Sequence, residues 1–255
     1  MQQLEDVSRI RRLLNTDRVW CGYALADLDP EYWPHTEWHG NGEAVALLYH
    51  AVSPPFLFTH GPDADLLPIL DVVVRYPALL ISVGERVAVE LEARGYGLTN
   101  RKRMLRMGHR GAEPAMPRGA CVPLSMEHAS AVQALHAEGE TPDFFLPSML
   151  ASRTYFGIFE EGALVATAGT HIVSDRESVA AVGNVYVKRT RRGHGLGKAV
   201  TSAVTGSLRK RGIQTILLSV EEGNIAAQRA YLRLGFELHM PFVQALAARP
   251  SEPGD

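Results

Sequence analysis

The chain's capacity for chemistry is concentrated in Asn184-Val185-Tyr186-Val187-Lys188-Arg189-Thr190-Arg191-Arg192-Gly193-His194-Gly195-Leu196-Gly197-Lys198. An apolar strand runs into four cations within five residues, then three alternating glycines, then a helix. Glycine admits positive φ and lets a ligand come close to the main chain. A helix start presents unpaired N–H groups at the positive end of its dipole, which suits phosphate oxygens. Lys188, Arg189, Arg191 and Arg192 surround that spot in a chain whose formal net charge is −2. The combination reads as an anion site, with a plain tight turn as the rival reading. The glycine spacing matches neither the Gly-Lys-Ser/Thr phosphate loop nor the Gly-x-Gly-x-x-Gly dinucleotide turn.

A second block lies downstream: Asn224-Ile225-Ala226-Ala227, then Tyr231, then Leu234-Gly235-Phe236. Asn224 is suited to cap a helix that runs to Leu234 and is closed by Gly235. Tyr231 follows Asn224 by seven residues, two helical turns, and so occupies a similar face.

The elements that position these blocks can be read around them. Tyr155 to Phe159, Leu164 to Val173 and Val179 to Val187 are rich in β-branched and aromatic residues, with turn residues between them, and predict a meander. Gly197 to Lys210 predicts a helix with Val200, Val204 and Leu208 on one face. Ile213 to Val220 is a short unbroken apolar run, suited to a central strand. Ala120 to Leu124 predicts a strand leading into a helix capped by Ser125, and a last strand follows Gly235. The leading half alternates in the same manner. A helix with Leu4, Val7, Ile10 and Leu14 opens it, then strands at Ala44 to Tyr49 and Phe56 to Thr59. A helix from Asp65 to Tyr76, a strand from Leu79 to Val83 and a helix from Glu85 to Arg94 complete it. The aromatic run Tyr32 to Trp38 suits either a pocket wall or a loop packed onto the core by its rings.

Gly108 to Gly119, with its glycines and prolines, is the clearest break in composition. The expected division is a leading domain over 1–110, a linker over 111–119, a second domain over 120–248 and a frayed tail over 249–255. Near-neutral charge gives no footprint of a general nucleic-acid binder. No apolar run approaches a membrane span, and the start lacks the pattern of a signal peptide. Cys21 and Cys121 make neither a disulfide framework nor a zinc site, and no metal is expected. A cytoplasmic location is the expectation.

Together, Arg192-Gly193-His194-Gly195-Leu196-Gly197 and the Asn-x-x-Ala…Tyr…Gly-Phe block resemble the two motifs of the GNAT superfamily of acyl-CoA-dependent N-acyltransferases. The likeness covers roughly residues 120 to 247. Ala168-Gly169-Thr170-His171 and the leading half further resemble the two-domain branch of glycine N-acyltransferase-like proteins. The resemblance implies an α/β (α+β) fold: a central mixed sheet flanked by helices, preceded by a second, degenerate copy. It implies acetyl-CoA, or another acyl-CoA, as co-substrate. Val185, Tyr186 and Val187 would face the pantetheine arm on a strand that splays from its neighbour. The main chain of Gly193, His194, Gly195, Leu196, Gly197 and Lys198, with Arg192, would hold the diphosphate. Asn224 and Ala227 would meet the pantetheine, with the helix cap as the other role for Asn224. One departure is Arg189, where the family commonly has proline.

Direct attack of a neutral amine on the thioester needs positioned reactants, donors for the oxyanion and an exit for the amine's proton. The resemblance implies that Tyr231 protonates the departing thiolate, against the reading of a packed aromatic. His171 is a candidate base or an ordinary strand histidine. Asn184 is a candidate for orienting water or amine, and Glu221 is a further candidate base, with a water chain as the alternative. The expected partner is an amine on a small molecule or amino acid, with no nucleic acid and no membrane, and with a homodimer left open. The other functional class is a non-catalytic acyl-CoA sensor or scaffold. Nucleic-acid binding through Arg101-Lys102-Arg103 and Lys188 to Arg192 is the poorest option. The leading domain lacks both motifs and is expected to wall the acceptor pocket, with Trp33 or Trp38, rather than hold a second cofactor.

Overall fold

Alternating apolar strands and one-faced helices build two units, described here from a computed structural model covering residues 2–111, 121–138, 145–152 and 154–250. The first unit comprises residues 1–106, 221–223 and 239–255, and the second comprises 107–220 and 224–238.

The first unit opens with β1 (Gln2–Gln3), α1 (Val7–Leu14) and α2 (Gly22–Ala26). It continues through β2 (Thr36–Asn41), β3 (Ala44–Tyr49), β4 (Phe56–His60), α3 (Asp63–Val73), β5 (Ala78–Val83), α4 (Glu85–Ala93) and β6 (Gly97–His109). Strands β2, β3 and β4 form an antiparallel meander, and β4 pairs parallel with β5 across α3. Leu66, Ile69, Leu70 and Val73 of α3 and Val87, Ala88 and Leu91 of α4 close over Leu48, Leu57, Ile81 and Val83.

The second unit contains β7 (Val122–Pro123), α5 (Ala129–Ala137), α6 (Met149–Ser152), β8 (Phe156–Glu160), β9 (Ala163–Ser174) and β10 (Val179–Val187). Then come α7 (Leu196–Lys210), β11 (Thr215–Glu221) and α8 (Ile225–Leu232). The pattern of the first unit repeats: β8, β9 and β10 are antiparallel, and β10 pairs parallel with β11 across α7. Val200, Val204 and Leu208 of α7 are fully buried, as their spacing predicts. Both units are therefore mixed sheets flanked by helices, in the duplicated arrangement expected.

Four expectations need correction. The final strand, β12 (Phe236–Ala248), leaves the second unit at Leu238 and returns to the first. It pairs antiparallel with β5 over Val243–Ala248, and Val243, Ala245 and Ala247 join that core. The contiguous division into 1–110 and 120–248 therefore gives way to interleaved segments, because the strand's apolar face is buried in the earlier unit. Second, β6 runs through Gly108 to His109, so the composition break at Gly108 does not end the strand; of the linker expected over 111–119, residues 112–119 lie outside the described ones. Third, Arg249 at the head of the expected frayed tail is held, its N–H donating to Pro77 and its guanidinium lying over Tyr96. The rest of that tail, residues 251–255, lies outside the described residues. Fourth, Trp38 belongs to β2, not to a loop; it is 2% exposed and its indole N–H donates to Thr36. Its ring stacks on Trp33 inside the first unit, so it is a core side chain.

A polar cluster pins β2 and β3 to the end of α3. The Glu37 carboxylate accepts from Tyr76 at 2.9 Å and His50 at 3.1 Å, and also meets His39 and Arg75. Burial pushes this carboxyl up, but hydrogen bonds from His39 and Tyr76 and the Arg75 charge outweigh it and hold its pKa at about 2. A lowered folded-state pKa adds stability above the unfolded value, and that stability fades as pH falls toward the folded one. Glu37→Gln is expected to cost about 1–2 kcal/mol at pH 7, allowing for partial solvent screening. Urea titrations should show that gap closing between about pH 4.5 and pH 2.

Candidate functional site

The parallel ladder between β10 and β11 runs from Val179–Thr215 to Val182–Leu218. Past it, the β10–β9 register shifts between Gly183 and Tyr186, and Asn184 within that bulge has φ +50°. Asparagine tolerates this region better than most side chains. Its amide is engaged on both sides: Nδ2 donates to the Tyr155 hydroxyl at 2.7 Å, and Oδ1 lies 3.0 Å from His171 Nε2. An amide oxygen only accepts, so Nε2 is the protonated nitrogen of that imidazole. The bulge leaves Val185–Val187 beside a cleft of about 660 Å³ in the second unit.

The turn after β10 builds the floor. Lys188 N–H donates to Val165, and Arg191 N–H closes back onto Lys188. Gly193 and Gly195 take φ of +84° and +79°, a region strained for other residues, and Gly195 is the N-cap of α7 without a side-chain cap. The first α7 bond in the chain is Ala199 N–H to Gly195 O. The N–H groups of Leu196, Gly197 and Lys198 precede it, free of intrahelical acceptors as in any first helical turn. The opposite wall is α8, which presents Asn224, Ala226, Ala227, Arg229, Ala230, Tyr231 and Arg233.

Most residues singled out from the sequence meet here. Val185, Tyr186, Val187, Arg192, Gly193, Gly195, Leu196, Gly197, Lys198, Asn224, Ala227 and Tyr231 all line the cleft. His194 does not; its Nδ1 faces the carbonyls of Arg191 and Arg192 at 3.3 and 3.0 Å, so its ring braces the turn. His171 and Asn184 contact each other and are not among the lining residues. Glu221 is occupied by Lys102. Asn224 Oδ1 accepts from Ala227 N–H at 3.1 Å, which makes it the N-cap of α8.

The cations divide into committed and open ones. Arg191 pairs with Glu160 at 2.6 Å and Lys188 with Glu138 at 3.7 Å. Arg192 donates through Nε to Val187 O and lies over the Tyr186 ring. Five cations, Arg191, Arg192, Lys198, Arg229 and Arg233, line the cleft, and no carboxylate is among its described lining residues. Arg229 and Arg233 escaped the sequence reading; their four-residue spacing on a helix that carries Tyr231 was the available signal. The other basic run is matched by acids: Arg101 meets Glu85 and Glu92, Lys102 meets Glu221, and Arg103 meets Glu222.

Tyr231 is half-buried, with its ring edge-on to Phe236. Burial pushes its hydroxyl up to about 12, so it keeps its proton at neutral pH. Its hydroxyl has no hydrogen-bond partner among the described residues.

A bulged strand thus parts from its parallel neighbour above a glycine-rich helix start. Residues 126–236 match the family model described as "Acetyltransferase (GNAT) family". The chain is similar to a mycothiol acetyltransferase of Thermobispora bispora, with 40% identity over 79 residues, or 29% of this chain and 27% of that protein. It thus spans just over a quarter of the length of that curated relative. A GCN5-related N-acetyltransferase from Kribbella flavida shares the fold at TM-score 0.61 and 21% identity, covering 96% of each chain. A tandem GNAT protein from the clavulanic acid biosynthesis pathway does so at TM-score 0.58 and 17% identity, covering 98% of each.

Replacing the cap tests the local reading of α8. Asn224→Ala is expected to cost about 1 kcal/mol, and Asn224→Asp to restore most of it. Thermal denaturation of both variants reads the difference.

Proposed function

We propose that the chain is an N-acetyltransferase that moves acetyl from acetyl-CoA directly to a primary amine of a small molecule or amino acid. The observation that carries this reading is the cleft: an unpaired strand edge, uncapped N–H groups ringed by cations and a free tyrosine hydroxyl line one groove. The matching relatives bear the name mycothiol acetyltransferase, which supports acetyl as the group transferred and adds nothing to the glycine N-acyltransferase-like resemblance. Bound acetyl-CoA supplies the thioester, whose C–S bond breaks as the C–N bond forms.

The chain's own residues position and stabilise. Main-chain groups of Val185–Val187 align the pantetheine amides, and the α7 N-terminus with Arg192 holds the diphosphate. Tyr231 donates a hydrogen bond to the departing sulfur. An ordinary thiol titrates at about 8.5, well below the Tyr231 hydroxyl at about 12. Full transfer of its proton is therefore uphill, and Tyr231 acts mainly by stabilising developing charge on sulfur. With no carboxylate or histidine among the described lining residues, the amine's proton leaves to water in the open cleft.

Calorimetry of the full chain with acetyl-CoA, then a screen of amines and amino acids following free thiol, tests the reading. Acceptor-dependent thiol release is expected. Binding without release would favour the sensor, and no binding would end both. Tyr231→Phe is expected to lower turnover about 10²-fold, with acetyl-CoA affinity within about twofold. Because the hydroxyl holds its proton, turnover should show no alkaline fall from this group below about pH 11.

A further inference from the structure

We propose that Arg229 and Arg233 of α8 seat the 3′-phosphate of the donor, so that the cleft selects free coenzyme A thioesters over those lacking that group. This rests on the reading of the cleft as an acyl-CoA site and adds which form of donor it takes.

Charge matching carries the argument. Of the five cleft-lining cations, Arg191 is committed to Glu160. Arg192, Lys198, Arg229 and Arg233 have no carboxylate partner among the described residues. A diphosphate diester brings two negative charges, for which the α7 N-terminus, Arg192 and Lys198 already suffice. Two guanidinium groups remain over. Their residues lie one turn apart on the same helix, Arg233 N–H donating to Arg229 O at 3.3 Å, and like charges at that spacing repel weakly, which an anion between them would relieve.

Helix capping does not explain the pair. The last carbonyls of α8 are taken by main-chain N–H groups: Arg233 donates to Arg229, Leu234 to Tyr231 and Gly235 to Leu232. A phosphate monoester carries about −1.5 to −2 charge at pH 7, and the guanidinium fork binds its oxygens in pairs. In a coenzyme A thioester the 3′-phosphate is the anion beyond the diphosphate. A thioester on a phosphopantetheine arm has no such group.

Titration calorimetry with coenzyme A and with 3′-dephospho-coenzyme A tests this on the full chain. Wild type is expected to bind coenzyme A at least about tenfold tighter at about 0.1 M salt, the preference shrinking as salt rises. Arg229→Ala with Arg233→Ala should bring coenzyme A down to the dephospho level and leave the dephospho affinity unchanged, while the paired Lys substitutions retain part of the preference. Equal wild-type affinities, a comparison that needs no variant, would overturn the proposal and leave the acyl-CoA reading standing. Equal weakening of both ligands by the double variant would also overturn it. If neither ligand binds wild type, the acyl-CoA reading fails with it.

Discussion

The end of the parallel ladder at Val182 is the constraint on which the candidate site depends. A strand paired along both edges has no main-chain groups to offer a ligand. Here Asn184, held at positive φ by Tyr155 on one side and His171 on the other, places a bulge where β10 would otherwise continue its pairing. Bulges commonly bend a strand and re-aim the side chains beyond the bend. The next three residues reach the cleft, and the turn behind them begins α7 at a left-handed glycine. Asn184, a candidate for direct chemistry from its sequence position, has both ends of its amide spent on that support.

The two units show one supersecondary plan with opposite electrostatics at the matching helix start. In the second unit the strand before the crossover helix leads into arginines and glycines. In the first it leads through Gly61 and Pro62 into Asp63 and Asp65, the acidic residues of the first turn of α3. Carboxylates there favour the helix dipole and repel an anion, and Pro62 has no N–H to donate. The same turn of backbone thus becomes a helix-stabilising feature in one half and a candidate phosphate seat in the other.

Local signals carried most of the candidate site. Gly193, Gly195 and the Asn224 cap do their work within a few residues of themselves, so their spacing alone exposes them. Periodicity likewise placed α7 and its buried Val200, Val204 and Leu208. The misplaced features depend on distant partners. β2 hid in an aromatic run because Trp38 is buried by neighbours the local pattern does not display. The Arg101–Arg103 run looked like open charge because Glu221 and Glu222 lie far along the chain.

From the order of its residues alone, this chain determined which segments become helices and strands, and where a glycine turn meets cations. That information is written in periods of two and 3.6 and in the torsional freedom of glycine. Only the tertiary structure decided that β12 completes the first unit, that the β10 ladder stops short, and that the start of α7 and the length of α8 line one cleft. Such outcomes depend on which surfaces bury each other, a choice among long-range pairings that no local window contains.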